Sequence, residues 1–242
     1  MSKLVAWLVL VGLCLPGGGR AETLRLLTEE APPFNFLQNG QVAGISVELM
    51  RLAAERAGVE ISIDLEPWQR AYQDALDNAD ACVFSTTVTD ERRPLFKWVG
   101  PLVRNDWAFI AHRDRHIRIE TLDDARRYVV GVYQGDVRET YLVGLGGFRL
   151  SAVGHNDLNA KLLEAGRIDL WASSTDQIWT ERQRGNTDLE IVYKFRSVEL
   201  GAACNKQVPD ALVAHLNGAL DRIRAAGLDR AIESKYRVVS TD

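Results

Sequence analysis

In the first part of the chain, short apolar runs alternate with stretches in which apolar residues recur at helical spacing. The run at 81–86 is apolar up to its final hydroxyl residues, as expected for a buried strand. At 46–57 the apolar side chains fall on one helical face, and Gly58 supplies a stop signal. The resulting β-α-β-α-β order predicts a parallel sheet flanked by helices. The predicted elements are strands at 24–28, 60–65 and 81–86, and helices at 46–57 and 68–76.

A second unit of the same order follows at about 106–195. After it, Pro209 suits the first turn of a helix, and Leu212, Leu216 and Leu220 share one face of that helix. No low-complexity linker separates the two units, so we predict an α/β protein with two closely associated halves. The later strands are predicted at 107–112, 129–133, 148–153, 168–172, 189–195 and 198–204.

The N-terminus has the pattern of a secretory signal peptide. Lys3 precedes an apolar run at 4–15, and glycines and Ala21 then form a small-residue cleavage region. An uncleaved anchor is the alternative, which the glycine-rich region disfavours. We therefore predict a signal peptide at 1–21, cleavage before Glu22, and a periplasmic mature protein.

Charge and cysteine content narrow the functional classes. The formal net charge is −4, and loss of Lys3 and Arg20 with the signal peptide makes it −6. Acidic and basic residues are interspersed without a basic stripe, which disfavours nucleic-acid binding. Cys82 and Cys204 remain after cleavage, and an oxidising compartment permits a disulfide, although two buried thiols are the alternative.

Enzyme and cofactor motifs are missing from the sequence. The four histidines have no metal-ligand spacing, and neither a phosphate-binding glycine loop nor a Gly-x-Ser-x-Gly elbow is present. We therefore expect no metal, no cofactor and no catalytic residues.

The most informative polar residues follow the strand at 81–86. Ser85 and Thr87 stand where that strand ends, and Arg92 comes one short turn later. Ligands of α/β sheets sit at the carboxyl ends of strands, and a guanidinium can donate two parallel hydrogen bonds to a carboxylate. The alternative is a threonine-rich turn followed by a solvated surface patch.

Several motifs, in this order and at these spacings, give the chain a family resemblance. The mature chain resembles the bacterial extracellular solute-binding proteins of the polar amino-acid type, family 3. The motifs are Thr28-Glu-Glu-Ala-Pro-Pro-Phe34, Gly44-Ile-Ser-Val-Glu-Leu49, Pro67-Trp68-Gln-Arg70-Ala71, the stretch from Ser85 to Arg92 with Phe96-Lys-Trp-Val-Gly-Pro-Leu102, Tyr133-Gln-Gly-Asp136 and Gly166-Arg-Ile-Asp-Leu-Trp171.

The resemblance implies a two-lobed clamshell in which each lobe is a mostly parallel sheet flanked by helices. Lobe 1 would comprise 22–103 plus 198–242, and lobe 2 would comprise 104–197. Hinge crossings would lie near 102–105 and 195–198. The protein would act as a monomer that closes on a small polar solute, an amino acid or related carboxylate, and delivers it to an ABC permease. The family topology also places Cys204 near Cys82.

The resemblance assigns site residues one by one. Arg92 would be the main carboxylate anchor, with hydroxyl donors beside it, and backbone amides at the start of a lobe 2 helix would complete the anion site. Aromatic and acidic residues of lobe 1 would wall the pocket. The implied ligand-binding residues are Arg92, Ser85, Thr87, Gly135, Asp136, Trp68, Glu30 and Phe34.

Two departures bear on the ligand. Ser174 stands where amino-acid binders carry an acidic residue that pairs with the ligand ammonium, and Asp136 replaces a small hydroxyl residue beside the expected carboxylate site. Either Glu30 takes the ammonium role or it pairs with Arg70. The ligand is then an amino acid, another carboxylate or an amine-bearing solute.

Two rival functions share this fold. One is a periplasmic cyclohexadienyl-type dehydratase, in which Glu30, Asp136 or Asp176 would serve as the acid, and which requires a carboxyl of raised pKa in the cleft. The other is a ligand sensor for a separate membrane partner.

Overall fold

The computed structural model describes residues 23–237, so the predicted signal peptide at 1–21 lies outside the described residues. Within the described range, no helix combines the length and the apolar character needed to cross a membrane. The strands are β1 (Leu24–Thr28), β2 (Phe36–Gln38), β3 (Gln41–Ala43), β4 (Ile61–Leu65), β5 (Ala81–Thr87), β6 (Lys97–His112), β7 (Val129–Tyr133), β8 (Arg149–Val153), β9 (Leu170–Ser174) and β10 (Leu189–Cys204). The helices are α1 (Ile45–Ala57), α2 (Trp68–Asp77), α3 (Val137–Leu145), α4 (Leu158–Glu164), α5 (Asp176–Gln183), α6 (Asp210–Ala225) and α7 (Leu228–Arg237).

Eight of these strands form one continuous sheet in the order β4-β1-β5-β10-β6-β9-β7-β8. At one end β1 pairs in parallel with β4 and β5, and at the other end β7 pairs in parallel with β8 and β9. The two central strands, β6 and β10, run antiparallel to their neighbours. The predicted pair of mostly parallel sheets flanked by helices is therefore confirmed, with two antiparallel strands joining them.

The central strands are longer than the sequence pattern predicts. Segments 102–105 and 195–198, the expected crossings, lie inside β6 and β10, where Val103 pairs with Leu200 and Asn105 with Val198. Exposed polar residues, Arg104 among them, interrupt the apolar pattern there although the backbone stays extended. The pattern consequently predicts two short strands, 189–195 and 198–204, where β10 is one long, bulged strand, and it predicts only the 107–112 part of β6.

Separate hydrophobic clusters fill the two halves. One packs α1 and α6 against the first half of the sheet and includes Leu26, Phe84 and Leu216. Another packs under β6, β7 and β9 and includes Phe109 and Leu170. Each half therefore has its own core, and the two halves are connected through β6 and β10.

Cys82 and Cys204 form a disulfide between β5 and β10. Both side chains are fully buried, and the two residues are directly opposite each other in the strand register. The bridge, one of the two states left open by composition, is confirmed. It joins residues separated by 122 positions, so the closed loop contains the whole second half of the molecule.

Candidate functional site

A cleft of about 690 Å³ lies between the two halves. Its walls come from the carboxyl ends of β1, β5, β7 and β9 and from the first residues of α2 and α3, which is where a parallel α/β sheet places its ligands. The predicted ligand-binding residues that line the cleft are Glu30, Phe34, Trp68, Ser85, Thr87, Arg92, Asp136 and Ser174, and Gly135 is not among the lining residues.

Arg92 is held in the cleft by two aromatic rings. Its guanidinium carbon lies 5.1 Å from the ring centroid of Trp68 and 5.2 Å from that of Tyr72, within the range of cation–π attraction. Its Nη1 makes a long hydrogen bond of 3.5 Å to the carbonyl of Thr87. Burial lowers the pKa of Arg92. Among residues 23–237 the guanidinium has no ion-pair partner within 4.0 Å, so its charge is available to an anion.

A chain of polar contacts connects the end of β5 to the loop after β1. Ser85 adopts a left-handed backbone conformation with φ of 55°, and its hydroxyl donates to the side-chain carbonyl of Asn35. The amide nitrogen of Asn35 in turn donates to the backbone carbonyl of Glu29. The Thr28 hydroxyl adds a bond of 3.1 Å to the Phe84 carbonyl. These contacts hold the first loop of the cleft at a defined position.

The start of α3 differs from the expected anion site. Asp136 caps the helix, and its carboxylate accepts from Arg138 Nε at 2.7 Å, Arg138 Nη2 at 2.8 Å and the Arg138 backbone amide at 2.8 Å. The Gly135 amide donates to Glu139 Oε2 at 2.6 Å, and the Asp136 amide donates to the Tyr133 carbonyl at 3.0 Å. In this structure the amides of Gly135 and Asp136 therefore already have acceptors within the protein.

Arg138 is a cleft residue that the sequence analysis missed. Its two-point pair with Asp136 compensates the negative charge that Asp136 was expected to bring beside the carboxylate site. Both side chains are mostly buried, with exposed fractions of 15% for Arg138 and 13% for Asp136. The Asp-x-Arg spacing at the predicted start of a helix is the sequence feature that could have indicated this ion pair.

On the lobe 2 wall, Ser174 ends β9 and is 8% exposed. No acidic residue occupies that position. Asp176, the next acidic residue, lines a separate groove of about 260 Å³ together with Trp179 and Arg182. It is therefore not placed to serve the cleft.

Glu29 is the second cleft residue that the sequence analysis missed. Burial and the negative charge of Asp136 raise the pKa of Glu29 to about 8, against the smaller lowering effects of Arg138 and Arg92. The pKa of Tyr133 is raised by burial and by the charges of Glu29 and Asp136. A carboxyl, a phenol and two guanidinium groups thus meet at this point of the cleft.

Glu30, the neighbour that the sequence analysis named, is exposed at the edge of the cleft. Its alternative pairing with Arg70 is not observed. Arg70 instead lies 3.0 Å from Glu66 and 3.9 Å from Asp74.

The two halves touch each other across the cleft. The Thr180 hydroxyl of α5 donates to the Pro32 carbonyl at 3.4 Å. Gly135 lies so close to Gln69 of α2 that a β-carbon added to the glycine would be 3.0 Å from the Gln69 side-chain nitrogen. Across residues 23–237, no group of three or more His, Cys, Asp or Glu residues could hold a metal ion.

Comparison with known proteins gives consistent results. The model of the bacterial extracellular solute-binding proteins, family 3, matches residues 24–238. The L-cystine-binding protein TcyJ of Escherichia coli (strain K12) is 25% identical over 210 residues, which cover 85% of this chain and 78% of that protein.

Solved structures share the fold. An ancestral arginine-binding protein bound to arginine has a TM-score of 0.79 at 23% identity, covering 89% of this chain and 98% of that chain. A histidine kinase sensor domain with similarity to periplasmic binding proteins has a TM-score of 0.82 at 24% identity, covering 90% of this chain and 97% of that chain. The arginine-, lysine-, histidine-binding protein ArtJ from Geobacillus stearothermophilus has a TM-score of 0.79 at 17% identity, covering 91% and 97%. The predicted two-lobed α/β clamshell is confirmed.

Proposed function

The chain belongs to the bacterial extracellular solute-binding proteins, family 3, and from this premise we propose that it captures a small carboxylate-bearing solute, an amino acid or a close relative, for an ABC importer. It works in the periplasm as a monomer, exported by the signal peptide at 1–21, and without turnover. Segments 22–103 and 198–242 move as one lobe against 104–197, with the hinge at 102–105 and 195–198.

The observation that carries this proposal is the unpaired guanidinium of Arg92 inside the cleft. Trp68 and Tyr72 orient it, and no acidic residue among 23–237 neutralises it within ion-pair distance. A planar carboxylate can accept two parallel hydrogen bonds from such a group. Ser85 and Thr87 line the cleft nearby and supply hydroxyls.

Closure of the lobes would be driven by contacts that exist only when both walls reach the ligand. The cleft has walls from both halves, with Arg92 and Trp68 on one side and Ser174 and Tyr133 on the other. A solute held by Arg92 would therefore favour the closed form by the binding free energy that it gains from contacts with the second wall.

A thermal-shift screen of the mature protein tests the proposal. A ligand at one hundred times its dissociation constant stabilises by about 2.7 kcal/mol, which raises the midpoint of a protein of this size by roughly 5–10 °C. We expect hits among amino acids or organic acids, confirmed by calorimetry with one site per chain. A complete screen without any hit would contradict the proposal.

A second candidate function has one observation in its favour. The dehydratase alternative requires a cleft acid that is protonated near neutral pH, and the raised pKa of Glu29, about 8, meets that requirement where Glu30 and Asp176 are poorly placed. Incubation with prephenate separates the two functions. Release of an aromatic product, lost in Glu29→Gln, would establish the enzyme.

A further inference from the structure

The charged residues of the cleft can be sorted by whether they already have a partner. Three arginines each have an acidic partner at a nitrogen–oxygen distance of 2.7–3.0 Å. Two of them also have a second acid, Asp74 at 3.9 Å from Arg70 and Glu181 at 3.2 Å from Arg184, so the positive charges of all three are already compensated. The pairs are Arg70 with Glu66, Arg138 with Asp136 and Arg184 with Asp157.

Three charged lining residues are left without such a pair: Arg92, Glu29 and Glu30. Glu30 is exposed, whereas Glu29 is partly buried in the wall beside Arg138 and Asp136. Within residues 23–237 the Glu29 carboxyl makes neither a side-chain hydrogen bond nor an ion pair. The cleft thus offers one inner cation, Arg92, and one inner acid, Glu29.

The position of Glu29 is structurally defined. Its backbone carbonyl accepts from Asn35, which is completely buried and also receives the Ser85 hydroxyl. The groups that face its carboxyl are Asp136 and Arg138 at the start of α3, Tyr133 at the end of β7 and Arg92 after β5. Both lobes therefore contribute to its surroundings.

We propose that Glu29 is the binding partner of a cationic group on the ligand, supplied from lobe 1 in place of an acidic residue at Ser174. The inference rests on the proposed function and names its ligand class: an amine-bearing carboxylate whose carboxylate meets Arg92. Its cationic group is an α-ammonium, a distal ammonium or a guanidinium. Each of these would form the same kind of ion pair with the Glu29 carboxylate.

The alternative occupant of Glu29 is a proton. In the conformation of this structure and with the cleft empty, burial and the negative charge of Asp136 favour the neutral carboxylic acid near neutral pH. A ligand cation favours the ionised form instead, so its binding must displace that proton. Near pH 7 the binding of an amine-bearing ligand therefore releases protons to the buffer, and its affinity rises with pH up to about 8.

The test uses the mature protein and a matched panel. The probes are the standard amino acids, L-cystine, lactate, malate, succinate and the diamine putrescine. Alanine against lactate, and aspartate against malate, compare an ammonium with a hydroxyl on the same carboxylate frame. Hits confined to lysine and arginine would place the cation distally, and hits that include alanine or aspartate would place it next to the carboxylate.

For each hit, calorimetry compares wild type with Glu29→Gln, which keeps the shape and removes the charge. We expect a loss of about 10–100-fold in affinity, with Glu55→Gln on the exposed face of α1 as the unaffected control. Calorimetry in two buffers of different ionisation enthalpy should show proton release in wild type and none in Glu29→Gln. If Glu29→Gln does not fold, Glu29→Asp, which keeps the charge but shortens the side chain by one methylene, should weaken binding of amine-bearing hits, and unchanged affinity would overturn the inference.

Three outcomes would overturn the inference. Unchanged affinity in Glu29→Gln is one. An equally large loss in Glu30→Gln is another, because the ligand cation would then bind at the edge of the cleft. Equal binding of lactate and malate is the third. If such amine-free hits also vanish in Arg92→Ala, the proposed function stands while this inference falls; a panel without hits removes both.

Discussion

Breaking the Cys82–Cys204 disulfide should destabilise the protein while leaving ligand binding intact. The bridge closes a loop of 122 residues that includes the whole second lobe. In the chain-entropy model a cross-link of this span lowers the entropy of the unfolded chain by an amount equivalent to about 5 kcal/mol. Residual structure in the unfolded state reduces this value, so we expect a measured loss of about 3–5 kcal/mol.

Urea unfolding followed by tryptophan fluorescence measures this loss. A protein produced without residues 1–21 lacks Cys14, so Cys82 and Cys204 are its only cysteines. Because both sulfurs are fully buried, the reduced form is prepared by reduction in denaturant and refolding in reductant. A second form, Cys82→Ala/Cys204→Ala, also removes the sulfur atoms. The difference between the two forms isolates the packing contribution of the sulfurs.

Loss of the disulfide should also change the slope of the urea transition. Without the bridge the unfolded chain is less compact and exposes more surface, so the m value should rise. The thermal midpoint should fall by roughly 10 °C. Ligand affinity should change little, since neither cysteine lines the cleft. A stability loss below about 1 kcal/mol with an unchanged m value would show that the bridge does not stabilise the protein through the unfolded chain.

Three further predictions concern the cleft. Arg92→Ala should lower ligand affinity at least 100-fold by calorimetry, while the exposed neighbour control Arg93→Ala retains it; equal losses would refute the anchor role. Trp68→Ala should lower ligand affinity less, by about 3–30-fold, because it removes one of the two aromatic rings that contact the guanidinium and part of one cleft wall. Glu29→Gln should leave the ligand-free thermal midpoint nearly unchanged near pH 4.5 and raise it at pH 9. The wild-type carboxyl, whose pKa is raised to about 8, loses its stabilising contribution as pH rises from 4.5 to 8; a difference independent of pH would contradict this.

Periodicity predicted the elements well wherever one face of a strand or helix is buried. The helix at Ile45–Ala57 and the strand at Ala81–Thr87 differ from their predicted bounds by one residue each. The long strands β6 and β10 were predicted only in pieces. Their middle sections do contribute buried residues such as Val103 and Val198 to a core, but polar residues there, Arg104 and Arg196 among them, interrupt the apolar runs from which strands are predicted.

From the residues alone, the cleft could be predicted where a strand end positions a side chain, whereas Phe34, Trp68 and Asp136 were assigned through the family resemblance. Ser85 and Thr87 lie at the carboxyl end of β5, and Arg92 lies one turn later. Glu29 and Glu30 are adjacent, and which of them enters the cleft depends on the path of the loop after β1. That path is set by contacts with Asn35 and by the facing lobe, which local sequence does not encode.

The lack of an acid at Ser174 has a consequence for the order of events during binding. If Glu29 takes the cation and Arg92 the carboxylate, both charged contacts of the ligand belong to lobe 1. The ligand would then bind the open protein through lobe 1 alone, and closure would add mainly hydroxyl and aromatic contacts from Ser174 and Tyr133. Charged contacts formed in the open state do not favour closure, because only contacts that differ between the two states can shift their balance. Substitutions at Ser174 should therefore change the closed fraction more than the first capture of the ligand, and those at Glu29 should do the reverse.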